Sequence, residues 1–590
     1  MSEYNQEGYQ TLGWIINKSE YGMFLVVAEE AIQKEVVEIY RQGMVGIYDY
    51  RQHPGSYSFQ HLKEWIDTQS KIQTFFIVNF QFAIQEEQDL NRLNFSRDML
   101  AGLGKNLIFL TTPYGDDKLA ANAYDFYSFI KIRITFHDYV TKRTSPDLEI
   151  PHEESLSQKE DWNTEKIKEK LQESYVLMQL AKEASDKAKY QESIKLLLQA
   201  KNIREKVLGT KHLETADVYG ELADLYQDQG KYKEAEELYK KALSVQKELL
   251  GENHPATATS YNNLAVLYMR QGKYKEAKEL NKKALSVQEE VLGGNHSATA
   301  TSYGNLAGLY VKQGKYKKAE ELYKKAMSVR EEVLGKNHPA TATSYNNLAR
   351  LYEEQRRYKE AEELYKKALF VREEVLGENH PNTAISYNNL AGLYEEQGKY
   401  KEAEELYKKA MSVHEEVLGK KHPATAGSYN NIALLYEKQG KYKEAEKLYK
   451  NAMSVQEEML GENHPDTATS YNNLAILYVE QGKYKEAEKL NKRALSVLEG
   501  VLGKSHPATA TSYNNLAVLY EDQGKYKEAE ELYKKALSVR EEVLGQSHPA
   551  TMASYNNLAN LYKKQGKYKE AEELSKKFVV ADKENMDDNK

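Results

Sequence analysis

The sequence contains no cysteine, few tryptophans and no long apolar run. Without cysteine, neither a disulfide framework nor a thiolate metal or redox site can form, which fits a reducing compartment, and we expect a cytoplasmic protein. The longest apolar run, at 72–84, is interrupted by polar residues such as Asn79 and falls short of the roughly 20 apolar residues of a spanning helix. The N-terminus lacks the pattern of a secretory signal. The sequence therefore predicts no membrane association.

The chain also lacks a strong excess of either charge. Its 82 Lys and Arg residues face 89 Asp and Glu residues, which gives a net charge of -7 and an isoelectric point near 6.2. A surface that binds nucleic acid is basic, because it neutralises phosphates. The composition therefore argues against DNA or RNA as a partner, including single-stranded RNA read one base per unit.

What the sequence does have is a repeat. Tyrosine occurs 46 times against 13 phenylalanines, and one tyrosine returns every 42 residues. The positions are Tyr190, Tyr232, Tyr274, Tyr316, Tyr358, Tyr400, Tyr442, Tyr484, Tyr526 and Tyr568. Self-similarity at a fixed period is the mark of a repeat architecture, and these positions count ten units.

Each unit predicts two helices. In the unit that begins at Pro255, Tyr261, Leu264 and Tyr268 are spaced by three and four residues, which places them on one face of a first helix. A second apolar stripe follows the break at Gly272 and ends at another glycine, where a left-handed C-terminal residue is favoured. Two helices joined by so short a turn pack antiparallel.

A single helix pair cannot bury both stripes. Each unit must complete its core on its neighbour, so the array predicts an α-solenoid, a superhelix with one concave face. We place the array at 166–580 and predict a disordered tail at 581–590, where the sequence becomes polar.

These units resemble the tetratricopeptide repeats, and among them the longer variety of kinesin light chains. The resemblance covers roughly residues 170–578 and rests on the run "YNNLA.LY..QGKY.EAE.LY..AL" and the His-Pro join between units. The signature offsets are occupied by Leu264, Ala265, Tyr268, Gly272, Ala277 and Ala284. The resemblance implies that the first helix of each unit lines the concave groove and that the groove binds protein, without catalysis and without a cofactor.

An asparagine pair that recurs on the first helices from Asn262 onward, with Gly304 as the gap, is the candidate binding site. An amide carries both donors and an acceptor, so a ladder of amides suits an extended peptide backbone. The candidates are Asn262, Asn263, Asn305, Asn346, Asn347, Asn388, Asn389, Asn430, Asn431, Asn472, Asn473, Asn514 and Asn515. The alternative is that one asparagine of each pair only holds the stack together, and we favour that role more for the second asparagine than for the first.

Specificity is expected from positions that differ between units. Arg350 occupies one such offset, and one turn later Glu353, Glu395 and Glu437 occupy another, which predicts an acidic groove with a basic or polar partner. The histidines of the joins stand one per unit, too far apart to share a metal ion, so we expect a structural role for them and no metal site.

The first 138 residues have a different pattern of apolar residues. Apolar runs at 23–27, 44–48, 74–78, 107–110 and 130–136 alternate with helical stretches, which predicts a small α/β domain with a mostly parallel five-stranded sheet. The segment 28–35 after the first strand contains no glycine and no Ser or Thr after its lysine, so no phosphate-binding loop can be written. Residues 139–165 read as a linker.

Part of this domain resembles a module that precedes tetratricopeptide repeats in bacterial proteins related to NLR-like NTPases. The residues that carry the resemblance are Leu93, Asn94, Arg97, Asp98, Leu100, Asp125, Phe126 and Tyr127. Without a phosphate loop, the resemblance implies a degenerate nucleotide-binding-like module for signalling or homo-oligomerisation, in bacterial defence. A surface ion pair is the alternative for Arg97 and Asp98.

The sequence as a whole predicts a non-enzymatic scaffold or sensor that captures a protein or peptide in the groove. The first rival is a nucleotide switch or enzyme centred on the N-terminal domain. The second is a motor-cargo adaptor of the kinesin light-chain kind, which needs a long heptad region that residues 160–185 do not supply.

Overall fold

The computed structural model describes residues 22–27, 45–49, 59–69, 72, 74–78, 106–111, 130–135 and 164–589. The chain divides into two compact units, Met1–Ile150 and Pro151–Lys590. Three features of the sequence analysis lie outside the described residues. They are the segment 28–35, in which no phosphate-binding loop can be written, the residues at 93–100 and 125–127 that carry the NLR-like resemblance, and most of the expected linker.

The described part of the N-terminal unit is a parallel sheet with one helix. Its elements are β1 (Gly22–Val27), β2 (Val45–Asp49), α1 (Phe59–Thr68), β3 (Thr74–Val78), β4 (Asn106–Thr111) and β5 (Ile130–Thr135). The strand order is β2-β3-β4-β1-β5, and every neighbouring pair is parallel. Trp65 of α1 makes edge contacts with Tyr48 and Phe75, 5.3 and 5.7 Å between ring centroids, so the helix covers this part of the sheet.

The C-terminal unit consists of helix pairs. Its helices are α2 (Thr164–Asp186), α3 (Tyr190–Val207), α4 (Leu213–Asp228), α5 (Tyr232–Leu250), α6 (Pro255–Arg270), α7 (Tyr274–Val291), α8 (Ser297–Lys312), α9 (Tyr316–Val333), α10 (Pro339–Glu354), α11 (Tyr358–Leu376), α12 (Pro381–Glu396), α13 (Tyr400–Val417), α14 (Pro423–Lys438), α15 (Tyr442–Met459), α16 (Pro465–Glu480), α17 (Tyr484–Val501), α18 (Pro507–Asp522), α19 (Tyr526–Val543), α20 (Pro549–Lys564) and α21 (Tyr568–Asn589). We number the pairs units 1 to 10. Every second helix begins at the tyrosine that marks the repeat, and no described helix could cross a membrane.

The His-Pro join sets the start of each first helix. The Nδ1 atom of His254 accepts a hydrogen bond of 3.1 Å from the backbone N–H of Ala256, and Pro255 occupies the first helical turn, where its missing N–H has no cost. The same cap recurs from His212 to His548. The expected structural role of these histidines is confirmed, and the described residues contain no cluster of metal-ligating side chains.

The turn inside each unit depends on a left-handed residue. Gly272 has φ +72°, a value that only glycine adopts without steric cost. Unit 1 has Ala188 and unit 5 has Arg356 at this position, both with positive φ. The chain therefore holds the same turn at two positions where a side chain is strained.

Each unit completes its core on its neighbour, as the apolar pattern predicts. Alanines such as Ala265, Ala277 and Ala284 are fully buried where helices cross, which lets the backbones approach closely. In most units the first-helix tyrosine joins the preceding unit through its hydroxyl, as in the bond of 2.6 Å from Tyr345 to Glu331. Packing and hydrogen bonding thus stack the units in order.

The end of the array corrects one expectation. Residues 581–589 of the tail that was predicted to be disordered belong to α21, which continues to Asn589. The segment contains helix formers and neither glycine nor proline, so nothing in it stops the helix.

Units far apart in sequence also meet. The Nε2 atom of His464 lies 3.0 Å from the carbonyl oxygen of Asp228, and the Nε2 atom of His506 lies 3.0 Å from that of Arg270, each across 236 residues. Because the Nδ1 atom of His506 accepts its capping bond, the ring proton is on Nε2 and donates to the carbonyl. The array therefore winds far enough for one turn to touch the next.

Candidate functional site

The first helices lie on the tighter side of the array. The first helix of one unit contacts the first helix of the next, as α6 does α8, α10 does α12 and α16 does α18. Within residues 164–589, second helices of adjacent units make no comparable contact. The first helices therefore form the face on which one ligand can touch several units at once.

The first asparagine of each pair points into the seam between units. The Nδ2 atom of Asn262 donates to Ser302 Oγ at 2.6 Å, and that of Asn472 donates to Ser512 Oγ at 2.8 Å. The equivalent donors and acceptors are Asn346 with Ser386, Asn388 with Ser428, and Asn430 with Ser470, at 3.3, 3.4 and 3.2 Å. Asn514 instead accepts a bond from Asn557.

These contacts correct our preference between the two asparagines. Asn262, Asn346 and Asn472 are buried, so the first row joins neighbouring units rather than facing a ligand. Helical periodicity places both asparagines beside the packing stripe, but it does not show on which side the next first helix will lie.

The seam contains a second set of residues that sequence reasoning missed. The serine of the next unit is also held by the second helix: Arg372 donates to Ser386 Oγ at 3.0 Å, and His414 Nδ1 lies 2.9 Å from Ser428 Oγ. Arg330 and Arg540 donate to the equivalent serines of their next units, whereas Ser302 and Ser470 donate to the Oε1 atoms of Gln288 and Gln456. The serine that precedes the first tyrosine of most first helices, as Ser386 precedes Tyr387, was the available signal.

The second asparagine of each pair is only partly buried. Those of units 3 to 9 are Asn263, Asn305, Asn347, Asn389, Asn431, Asn473 and Asn515, whereas the second asparagine of unit 10, Asn557, donates to Asn514. None of these seven amides forms a hydrogen bond with another residue in the described part of the chain. They are therefore free to donate to and accept from a ligand, one amide per unit.

The predicted acidic residues lie between the two helices of their own units. Glu353, Glu395 and Glu437 accept hydrogen bonds from the tyrosine hydroxyls of the second helices at 2.7, 3.0 and 2.9 Å. Burial raises the pKa of Glu353, and it raises the pKa of Glu437 to about 7. Glu395 is buried and forms an ion pair of 2.8 Å with Lys438 of the next unit.

The offset that varies between units changes character along the array. Arg350 is exposed and reaches the Tyr323 hydroxyl of the preceding unit, where its charge opposes the rise in pKa that burial causes. Later units present exposed apolar residues at this offset, namely Leu434, Ile476 and Val518. The face therefore combines polar middle units with apolar later ones.

Comparison with known proteins identifies the repeats. Nine overlapping segments match the model of the tetratricopeptide repeat family. They are 176–248, 214–290, 257–332, 298–374, 359–416, 384–458, 425–500, 482–542 and 508–577. The chain belongs to the tetratricopeptide repeat family. No curated protein matches the chain.

Solved structures of other tetratricopeptide repeat proteins are similar in part. Nearly identical TPR-like repeats from a Podosopora anserina protein described as a kinesin light chain share 28% identity, with 35% of this chain and 98% of that chain covered and a TM-score of 0.31. BtubC (BKLC) from P. vanneervenii shares 24% identity, with 40% and 92% covered and a TM-score of 0.32. A Rap protein complexed with Competence and Sporulation Factor shares 15% identity, with 64% and 99% covered and a TM-score of 0.44.

Proposed function

We propose that this tetratricopeptide repeat protein is a scaffold or sensor that binds an extended segment of a partner protein along its first helices. The row of second asparagines carries the proposal, because it presents one uncommitted amide per unit on the face where neighbouring first helices meet. Amides bind a peptide backbone through its N–H and C=O groups whatever its side chains.

The repeat spacing suits an extended ligand. Neighbouring packed helices lie roughly 10 Å apart, and an extended chain rises about 3.3 Å per residue. Each unit then serves about three ligand residues, so four units span about 12. A helical ligand, which rises about 1.5 Å per residue, would not present its backbone groups to the amides.

Charge selects among extended segments. The carboxylates of Glu353 and Glu437 are held where burial disfavours their charge, and a ligand Lys or Arg would supply the missing counter-charge. Exposed Glu354 and Glu480 add to the same sign, whereas Glu396 is paired with Lys438 at 3.0 Å. We therefore propose a basic or polar segment, with an apolar residue for the units that carry Leu434 and Ile476.

A display library of random peptides of about 12 residues tests the proposal, with the full chain immobilised. We expect basic, extended sequences to be enriched. A chain with Asn347, Asn389, Asn431 and Asn473 changed to Ala should bind the enriched peptide at least about tenfold more weakly, since each lost backbone bond is worth about 1 kcal/mol.

The matched control changes four exposed residues of the second helices in the same units, Glu363, Glu405, Lys447 and Lys489, to Ala. This variant should bind as the parent chain does. Enrichment of acidic peptides, or equal affinity of both variants, would refute the asparagine face as the site.

For the N-terminal unit we propose a non-catalytic role in passing on or multimerising the binding event, in bacterial defence signalling. The support is the stated resemblance and the absence of a phosphate-loop pattern from residues 28–35. Calorimetric titration of the chain with ATP and GTP in magnesium should show no binding. Saturable binding at micromolar affinity would favour the nucleotide-switch alternative.

A further inference from the structure

The carboxyl end of one first helix meets the amino end of another, one turn later. His464 caps α16, and its Nε2 atom lies 3.0 Å from the carbonyl oxygen of Asp228, the last residue of α4. His506 caps α18 and makes the same contact with Arg270, the last residue of α6. The last carbonyls of a helix have no partner within that helix, and here the later histidine supplies one. First helices therefore stack end to end across the turn.

Three such contacts hold the turn closed. The third joins His548, at the start of unit 10, to the backbone of Lys312 at the end of α8. Units 2, 3 and 4 thus meet units 8, 9 and 10, so one turn takes six units. We call the contacts between the ends of α4, α6 and α8 and the joins that begin α16, α18 and α20 the latch.

The latch also buries side chains that are open elsewhere. Tyr232 and Tyr274, which begin the second helices of units 2 and 3, are 8–9% exposed, whereas the equivalent Tyr400 of unit 6 is 37% exposed. Val501 and Leu502 of unit 8 pack against the buried cluster that contains Tyr232. The latch is therefore a packed contact as well as a set of hydrogen bonds.

One turn of six first helices encloses a narrow space. Neighbouring first helices run in the same direction, because a second helix returns between them, and their axes lie roughly 10 Å apart. In a ring of six, each axis is then also about 10 Å from the centre. Side chains extend about 5–6 Å from a helix axis, which leaves a width of about 8–10 Å. A single extended chain fits this width, whereas an α-helix, about 10–12 Å across, does not.

Carboxyl groups on the exposed side of the first helices, which we call the inner face, show this enclosure. Asp217 and Glu221 of α4 and Glu354 of α10 have exposed side chains. Burial nevertheless raises the pKa of all three, that of Glu221 to about 7. Water touches these groups, but protein surrounds them, so little bulk solvent remains to stabilise their charge. The inner face is therefore the wall of a water-filled interior.

We propose that the latch closes the inner face into a channel. A ligand enters this channel as one extended chain, by a free end, and an internal segment of a folded partner enters only when the latch opens. The partner that fits is therefore a protein with an unfolded terminus. The asparagine row lies on the same face, so the identity of the ligand rests on the proposed function, but the closure applies to any molecule that approaches.

Because the chain has no cysteine, one introduced thiol can report access. Ile385→Cys places it on the inner face in the middle of the array, one turn before Asn389, where Ile385 is 45% exposed. Glu405→Cys places it on the exposed side of the second helix of the same unit. N-ethylmaleimide, a small reagent, should modify both thiols.

A larger reagent tests the closure. A maleimide carried on a short linker by a folded protein should modify Ile385→Cys about a hundredfold more slowly than Glu405→Cys, because opening the latch breaks three hydrogen bonds, each worth a factor of about five. The same carrier with its maleimide at the end of an unfolded linker of about 20 residues, which spans about 60 Å, should modify both thiols at similar rates. Equal slowness of the two carriers at Ile385→Cys would overturn entry by a free end.

A latch variant tests the gate. Asparagine keeps the helix cap but does not reach the carbonyl across the turn, so the variant carries His464→Asn, His506→Asn and His548→Asn. In this background the short-linker carrier should modify Ile385→Cys nearly as fast as Glu405→Cys. The matched control changes three capping histidines outside the latch and should leave the reaction slow; its substitutions are His254→Asn, His380→Asn and His422→Asn.

The outcomes separate the channel from its gate. A short-linker carrier that modifies both thiols of the parent chain at one rate would overturn the channel, as would an Ile385→Cys thiol that N-ethylmaleimide does not reach. A latch variant as slow as the parent, or a control as fast as the latch variant, would overturn the gate. None of these rates depends on peptide binding, so failure of the peptide display would refute the proposed function and leave the closure standing.

Discussion

Units 2 to 4 and units 6 to 8 have nearly the same sequence, but the structure surrounds them differently. The loop at Gly272 is pressed against the join at His506, while the loop at Gly440 has the same φ of +72° and open space around it. The difference teaches that a unit's local conformation follows from its own residues, whereas its environment follows from its place along the winding. Equivalent substitutions should therefore have unequal effects.

The largest difference is expected for the glycine loops. Gly272→Ala and Gly440→Ala both force alanine into the left-handed region, at about 1–2 kcal/mol. Gly272→Ala also drives a methyl group into the His506 ring, which should cost a further 1–3 kcal/mol or so. Thermal unfolding by circular dichroism should show a lower Tm for Gly272→Ala. Equal Tm values would mean that the two loops do not differ in solution.

Substitutions at the histidine joins should also differ in how much they destabilise the chain, but by less than the glycine substitutions do. His506→Ala removes a helix cap and the bond to the Arg270 carbonyl, together about 2 kcal/mol. His422→Ala removes only a cap, about 1 kcal/mol, because His422 has no such long-range bond within the described residues. Urea unfolding of both variants measures the difference. A His422 variant as unstable as the His506 variant would contradict it.

Two neighbouring asparagines of one helix allow a closer comparison. Asn472 is buried and donates to Ser512 of the next unit, while its neighbour Asn473 is partly exposed and uncommitted. Asn472→Ala should destabilise the array by about 1–2 kcal/mol, and Asn473→Ala by less than about 0.5 kcal/mol. Hydrogen exchange across residues 465–520 would locate the change. If Asn473→Ala destabilised the array more than Asn472→Ala does, the second asparagine would be the one that joins the units.

The smallest expected effect is a pH dependence of stability from the buried join histidines, among which the contacted His506 is the clearest case. Burial lowers the pKa of His506 to about 4, against about 6.5 in an unfolded chain. The folded state then binds fewer protons in this range, so stability present above about pH 6.5 is lost as the pH falls toward 4, on the order of 1 kcal/mol after allowance for partial exposure.

One variant separates the contribution of the His506 ring to the pH dependence of stability from the contribution of the carboxylates, which titrate in the same pH range. His506→Asn keeps a capping side chain and removes the ring. Its Tm should fall less than that of the parent chain between pH 7 and pH 5, and parallel curves would exclude His506 as the source.

Much of the array could be read from particular residues. The tyrosines at 42-residue spacing do open the second helices, and Pro255 does stand in the first turn of its helix. The capping role of His254 and the serine network at Ser386 were not foreseen, because both depend on which backbone or side-chain group lies opposite. Asn262 was assigned to the wrong surface for the same reason.

The sequence alone determined the ten units, their helix pairs and their stacking, because apolar periodicity, glycine turns and small alanines act within one unit and its neighbour. Only the tertiary structure decided which asparagine faces the seam and which tyrosines are covered. Small rotations between successive units add up over the array, and their sum, which no single unit encodes, brings His506 to Arg270.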